Sequence, residues 1–312
     1  LENVILSLNV VVPLFIMIAL GYLAKHFKFY DEKGLQAMNK LIYKIFLPVT
    51  IFNNITNVDL SQGVNVSMMA YTGIAMFFAF LLCFIVVPLI NKERKQCGAL
   101  IQGICRSNFV IFGMPLSQML FPQDTTGAAA MLVAVAIPIG NMMSVIALEY
   151  FRGGKVDIKK ILIGIITNPL IIGCLLGIAF LLLDIPIPKL IKSPISDLGK
   201  VSGPLALFLL GGSIHFEKIK GNIKPLIMGV AGKLVIIPAI FVSIAALLGF
   251  RGVALAAIMV VFVAPTAVNS YTLAQMMDAD SELASEIVVF TTAFSILSIF
   301  LWIFVMKQLM LF

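Results

Sequence analysis

Apolar residues in this chain come in long blocks separated by short polar stretches. Ten blocks read as membrane-crossing helices, for which roughly 20 apolar residues suffice: 4–24, 35–55, 67–90, 98–121, 127–148, 161–183, 201–216, 225–249, 253–277 and 287–306. The seventh is short and carries Gly203, Gly211 and Gly212, which suits close packing or tilt. Two blocks break the pattern at mid-depth. In 98–121 the sequence RSN places Arg106, Ser107 and Asn108 inside the apolar run. Gly113 is permissive and Pro115 lacks an amide donor, so the helical ladder is expected to fail near them. In 253–277 the stretch VAPTAVNSY brings Pro265, Asn269, Ser270 and Tyr271 to a similar depth. Freed backbone groups are tolerated in a bilayer only against protein or a water-filled cavity.

The two interrupted blocks share a tail. Residues 116–120 (LSQML) match 273–277 (LAQMM), an offset of 157 (273 − 116). Residues 13–21 (PLFIMIALG) resemble 169–177 (PLIIGCLLG), an offset of 156 (169 − 13). Residues 1–150 and 151–312 therefore read as two five-span copies. An odd number of spans makes the second copy enter from the opposite side. The expected fold is an all-α membrane protein of ten transmembrane helices in two inverted five-helix repeats, with spans four and nine broken. Interrupted spans at matching positions of two halves point to a transporter's binding site.

Composition agrees with a membrane class. Of the 312 residues 61% are hydrophobic and 12% charged, against roughly 25% charged in soluble chains. The net charge of +7 is spread over short loops, without a basic tail or an aromatic RNA motif, so nucleic acid is not an expected partner. The loops after spans one, three, five and seven hold thirteen Lys and Arg residues against five on the other side. The positive-inside rule then puts both termini on the non-cytoplasmic side of the plasma membrane. Asp278, Asp280, Glu282 and Glu286 make the loop after span nine acidic, which weighs little in that rule. The first block lacks a basic leader and a small-residue cleavage site and reads as a span, not a signal peptide. Cys83, Cys97, Cys105 and Cys174 lack metal-type spacing and read as packing thiols.

The ten blocks contain Lys40, Lys44, Arg106 and Lys233 but no carboxylate, with Glu149 and Glu286 at block ends. A cation carrier needs acidic ligands in the membrane. An anion site needs fixed positive groups, amide donors and helix N-termini. Lys40 and Lys44 read as snorkelling to the nearer surface. Arg106 and Lys233 are either charge or coupling groups or cations satisfied by carbonyls. Asn108 and Asn269, beside the two breaks, read as substrate-site donors, and Asn141, Ser270 and Tyr271 are further candidates. Gln118, Gln275, Thr291 and Thr292 read as interhelical hydrogen bonders. His26 and His215 are isolated, and no nucleophile elbow, zinc cluster, paired aspartates or P-loop occurs. An enzyme, a cofactor and ATP-driven transport are therefore not expected.

The run from Asn108 through Gly113 and Pro115 resembles the Asn…Gly-x-Pro signature in the fourth span of the auxin efflux carrier family. FLP at 46–48, Asn168-Pro169 with Gly173 and Gly177, Lys233 with Pro238, and APTAVNS at 264–270 extend the resemblance over all ten spans. The resemblance implies a fold similar to bile-acid symporters and sodium/proton antiporters. Spans 1, 2, 6 and 7 would form a scaffold, which dimerises in plant members and here would pair through spans 2 and 7. Spans 3–5 and 8–10 would slide as an elevator. Spans four and nine would cross at Pro115 and Pro265 beside the substrate, with Gly113, Asn108 and Asn141 near it. Two features depart from the plant members: span three, 67–90, lacks their acidic residue, and 152–160 replaces their long cytoplasmic loop. The compact bacterial form fits better. The expected function is secondary transport of a small organic anion, a mono- or dicarboxylate or an auxin-like acid. The rivals are an ion-coupled symporter or antiporter of another solute and a non-transporting ligand sensor.

Overall fold

The computed structural model describes residues 2–58, 65–121, 125–152, 158–214 and 221–311. His215 and three of the thirteen loop cations counted above, Lys155, Lys218 and Lys220, lie outside them. The described residues form α1 (Glu2–His26), α2 (Glu32–Leu41), α3 (Leu47–Thr56), α4 (Val66–Ile90), α5 (Arg94–Cys105), α6 (Met114–Leu120), α7 (Thr125–Phe151) and α8 (Ile158–Ile166). They continue with α9 (Pro169–Leu182), α10 (Lys189–Ser213), α11 (Ile223–Ala231), α12 (Ile237–Leu247), α13 (Gly252–Val263), α14 (Ser270–Met276) and α15 (Ser281–Gln308). Four continuous helical stretches are long and apolar enough to cross a bilayer: Val66–Ile90, Ala128–Phe151, Ile223–Leu247 and Ser281–Gln308.

Among the described residues three π turns interrupt the helices, at Ile42–Phe46, Phe109–Gly113 and Gly232–Ile236. Each runs into a helix whose first turn holds a proline: Pro48 in α3, Pro115 in α6 and Pro238 in α12. Proline lacks the amide that would bond back and crowds the carbonyl four residues earlier. A π turn widens the ladder there and absorbs both defects. Behind Pro238 the crowded carbonyl is that of Leu234. It accepts hydrogen bonds from Ser298 Oγ at 2.9 Å and Trp302 Nε1 at 3.0 Å, both on α15. A backbone group freed by proline is thus satisfied by a neighbouring helix, as a bilayer demands.

Glycines set the closest helix contacts. A Cβ at Gly21 of α1 would lie 1.7 Å from the Phe208 carbonyl oxygen, and one at Gly211 of α10 would lie 1.9 Å from that of Ile18. Backbone packs on backbone along this α1–α10 seam. In the α3–α9 pair a Cβ at Gly173 would lie 2.6 Å from the Pro48 carbonyl oxygen.

Four sequence boundaries change. The block 98–121 loses its helix at Arg106–Asn108, earlier than Gly113 and Pro115, which sit where the π turn hands over to α6. The block 161–183 is divided before Pro169, where Asn168 caps α9 by accepting from the Leu170 amide at 2.9 Å. The block 201–216 begins far earlier, at Lys189, so Lys189, Lys192 and Lys200 are helical. The last block begins at Ser281, which brings Glu286 into the helix, where it is buried.

Candidate substrate site at the crossing of two interrupted helices

The two interrupted segments meet. Between α5 and the following π turn, the chain is extended at Arg106. Between α13 and α14, Ala264 before Pro265 is extended too, the conformation a residue preceding proline prefers. The two extended pieces pair as an isolated antiparallel bridge, Ser107 with Thr266. The Asn108 amide donates to the Pro265 carbonyl at 2.8 Å, and the Ala267 amide to the Arg106 carbonyl at 3.4 Å. Thr266 closes the joint from the side. Its Oγ1 donates to the Gly103 carbonyl at 2.6 Å, and its amide donates to Thr291 Oγ1 at 3.2 Å. Gln102 Nε2 donates to the Ser270 carbonyl at 3.0 Å. Backbone groups released by the two breaks are thus used to hold the crossing together.

A cavity of about 460 Å³ opens beside the crossing. Arg106, Ser107, Asn108, Asn141 and Asn269 line one wall, and α1, α3 and α10 supply the opposite wall with apolar residues such as Leu14, Ile51 and Leu207. No Asp or Glu is among the described residues that line it. Arg106 is 4% exposed, and its Nη2 donates to Asn141 Oδ1. Asn141 is held in turn by its Nδ2 bond to the Ile137 carbonyl at 2.9 Å. Arg106 Nη1, Asn108 Nδ2 and Ser107 Oγ are buried and have no hydrogen-bond partner among the described residues. Buried donors left unpaired are costly, more so on a charged group. A ligand oxygen in this cavity would relieve that cost. Lys200 also lines the cavity, where its exposed ammonium pairs with Asp197 at 3.1 Å.

The other sequence candidates are placed differently. Pro265 contributes its carbonyl to the crossing and does not line the cavity. Ser270 opens α14, with its carbonyl taken by Gln102. Gly113 packs behind the site, where an added Cβ would meet Phe109 at 2.7 Å and Val260 at 2.9 Å. The backbone of Pro115 lies in the first turn of α6. Lys233 is 1% exposed in a π turn away from the cavity lining, in the electrostatic neighbourhood of Cys83 and Cys105. Lys40 and Lys44 are exposed. All four cysteines are free and buried.

The sequence singles out neither Thr266, which stands in an apolar stretch, nor Gln102 or Asn39, and Asn168 enters only through the resemblance. Asn39 on α2 is fully buried and donates to Tyr271 Oη at 3.2 Å and Gln275 Oε1 at 2.6 Å. It also accepts from Thr272 Oγ1 at 3.0 Å. Asn168 Nδ2 donates to Tyr43 Oη at 2.9 Å. A polar residue in each of blocks two and six was the available signal. The interhelical role expected of Gln275 and Thr291 is the one observed.

Similarity to other proteins extends over nearly the whole chain. An uncharacterized transporter of Methanocaldococcus jannaschii is 24% identical over 309 residues, covering 95% of this chain and 98% of the relative. An uncharacterized transporter of Methanothermobacter thermautotrophicus is 22% identical over 303 residues, covering 95% and 97%. The model of the family described as membrane transport protein matches residues 6–303. The chain therefore belongs to this membrane transport family, the auxin efflux carrier family that its broken fourth and ninth blocks resemble.

Proposed function

We propose that the chain is a secondary transporter of a small organic anion, with the carboxylate held at the crossing. The observation that carries this reading is the unpaired trio of Arg106 Nη1, Asn108 Nδ2 and Ser107 Oγ in a cavity without acidic lining. A carboxylate accepts from a guanidinium and from amides. The largely apolar opposite wall accommodates the carbon body of the anion. Asn141 orients Arg106, and Asn269 adds an amide from the second interrupted segment. The ten-span, inverted-repeat arrangement belongs to the same proposal. It is supported by two seven-residue helices, α6 and α14, each following a break. It is supported further by the pairing of α1 with α10 and α3 with α9, where Gly21 and Gly177 are 156 residues apart (177 − 21). In an elevator, α1, α3, α9 and α10 are the frame, and the crossing is carried past them. Asn39, bonded to α14, and Asn168, bonded to Tyr43, then tie helices together on the closed side.

Orientation is part of the proposal. Lys95 pairs with Asp278 at 2.8 Å, so the basic loop after block three and the acidic loop after block nine lie on one side, as alternate crossing requires. The Gly252 amide donates to the Leu311 carbonyl at 2.9 Å, which joins the loop after block eight to the C-terminal end. Cysteines replacing Arg94 and Lys189 should label from opposite faces of inner-membrane vesicles, and labelling from one face overturns the orientation. The function is tested by thermal shift of the purified protein against mono- and dicarboxylates, followed by flux in proteoliposomes. A ligand of the native state raises its apparent stability. Binding without flux identifies a sensor. No stabilisation by any organic acid removes the anion reading.

A further inference from the structure

A second concavity lies apart from the crossing's cavity and has no lining residue in common with it. It is a groove of about 710 Å³ between α11, with its π turn, and α15. Ile227, Val230 and Leu234 form one bank, and Phe294, Leu297 and Trp302 are on the other. The polar side-chain atoms in the lining are Ser298 Oγ and Trp302 Nε1, and both are spent on the Leu234 carbonyl. Both banks belong to stretches long and apolar enough to span a bilayer. From Ile223 to Val235 the groove runs about 18 Å at 1.5 Å per residue, slightly more than one leaflet of a hydrocarbon core roughly 30 Å thick.

We propose that this groove is a binding site for one acyl chain of an anionic phospholipid, with the phosphate at Lys224. The occupant follows from position and charge. A concave, almost wholly apolar surface at this depth meets hydrocarbon and not water. At its basic end Lys224 is exposed and lies in the first turn of α11, three residues before Ile227 and on the same side of the helix. A Lys or Arg near the membrane surface attracts anionic lipid. Glu286 on α15 is 6% exposed, so its carboxylate is buried in the protein and not presented at the surface beside Lys224. The chain's floor contact, Leu234, follows Lys233 in the π turn. A lipid in the groove therefore braces the hydrogen bonds that Ser298 and Trp302 make behind Pro238.

Trp302 is the single tryptophan of the chain, lines the groove and is half-buried. It is a built-in reporter. The protein is reconstituted in phosphatidylcholine brominated on its acyl chains, which quenches nearby tryptophan. Unbrominated phosphatidylglycerol is then added in steps, with unbrominated phosphatidylcholine as the control series. The expected result is half-recovery of Trp302 fluorescence at a phosphatidylglycerol fraction at least threefold lower than in the control. Lys224→Gln should move the phosphatidylglycerol curve onto the control curve. Ala231→Leu, which fills the groove, should reduce quenching in brominated lipid. Coincident curves for the two lipids in the unmodified protein, or an unchanged selectivity in Lys224→Gln, overturn the proposal. The inference rests on α11 and α15 lying in the bilayer, not on the solute carried. The test uses no solute, so its failure leaves the anion reading intact.

Discussion

The two arms of the crossing differ in what they do with their polar groups. The first arm, α5 to α6, keeps Arg106 Nη1, Asn108 Nδ2 and Ser107 Oγ unpaired beside the cavity. The second arm, α13 to α14, uses Thr266 and the Ser270 carbonyl on its neighbours, and its one unpaired buried hydroxyl, Ser270 Oγ, lies outside the cavity lining. Its one contribution to the cavity's polar wall is Asn269. A break in a membrane helix creates free backbone and side-chain groups in either arm. The first arm leaves its unpaired donors beside the cavity, and the second turns most of its polar groups towards the protein. Binding and stability should therefore respond to substitutions in different arms.

The sharpest way to break that contrast is Arg106→Gln. Truncating one partner of a buried charged pair costs about 2–5 kcal/mol, so affinity for the organic acid should fall on the order of thirtyfold to several thousandfold. Thermal stability without ligand should not fall with it, because an incompletely paired buried charge is removed. A variant that unfolds early yet binds normally when folded would make Arg106 a structural residue. Arg106→Lys should lose most of the affinity too, since an ammonium cannot reproduce the planar donor fork.

Asn108→Ala removes one donor to a charged group, worth about 1.5–3 kcal/mol. Isothermal titration should read roughly ten- to a hundredfold weaker binding. Asn269→Ala sharpens the comparison. An equal loss makes both arms ligand-bearing at this depth, and an effect confined to turnover makes the second arm act in the opposite state. Thr266→Val leaves the Gly103 carbonyl without its partner. It should lower stability by about 1–3 kcal/mol, the desolvation cost of a buried unpaired group. Affinity of the folded fraction should stay within about twofold. A large affinity loss there would erase the division of labour. Lys44→Ala sits at the small end: a surface change of about ±0.5 kcal/mol, with no change in binding.

Much of the crossing was legible because charge and amides inside an apolar block have few harmless explanations. Arg106, Asn108, Asn141 and Asn269 do line one cavity. The break itself was misplaced, because Pro115 outweighed the polar triplet ahead of it. A proline that follows a π turn disturbs little, and three polar residues facing a cavity interrupt the helix on their own. The supporting groups left no local trace. Asn39 meets Tyr271 across 232 residues of sequence, and Thr266 needs the Gly103 carbonyl, 163 residues away. Periodicity and motif reading see neighbours along the chain, and these partners exist only after folding.

The glycine seam between α1 and α10 sets a limit on how the molecule can deform. With carbonyl oxygens standing where methyl groups would otherwise be, at Gly21 and at Gly211, the two helices are locked in axial register. Moving one helix along the other by one turn, about 5.4 Å, would bring a side chain of the same face onto a carbonyl at both points together. The seam is therefore a fixed joint with no slack, and any large displacement has to be found at other surfaces. A covalent staple across α1 and α10 should leave every activity of the protein intact, whereas one between α3 and Asn269 would pin the cavity's two walls to each other.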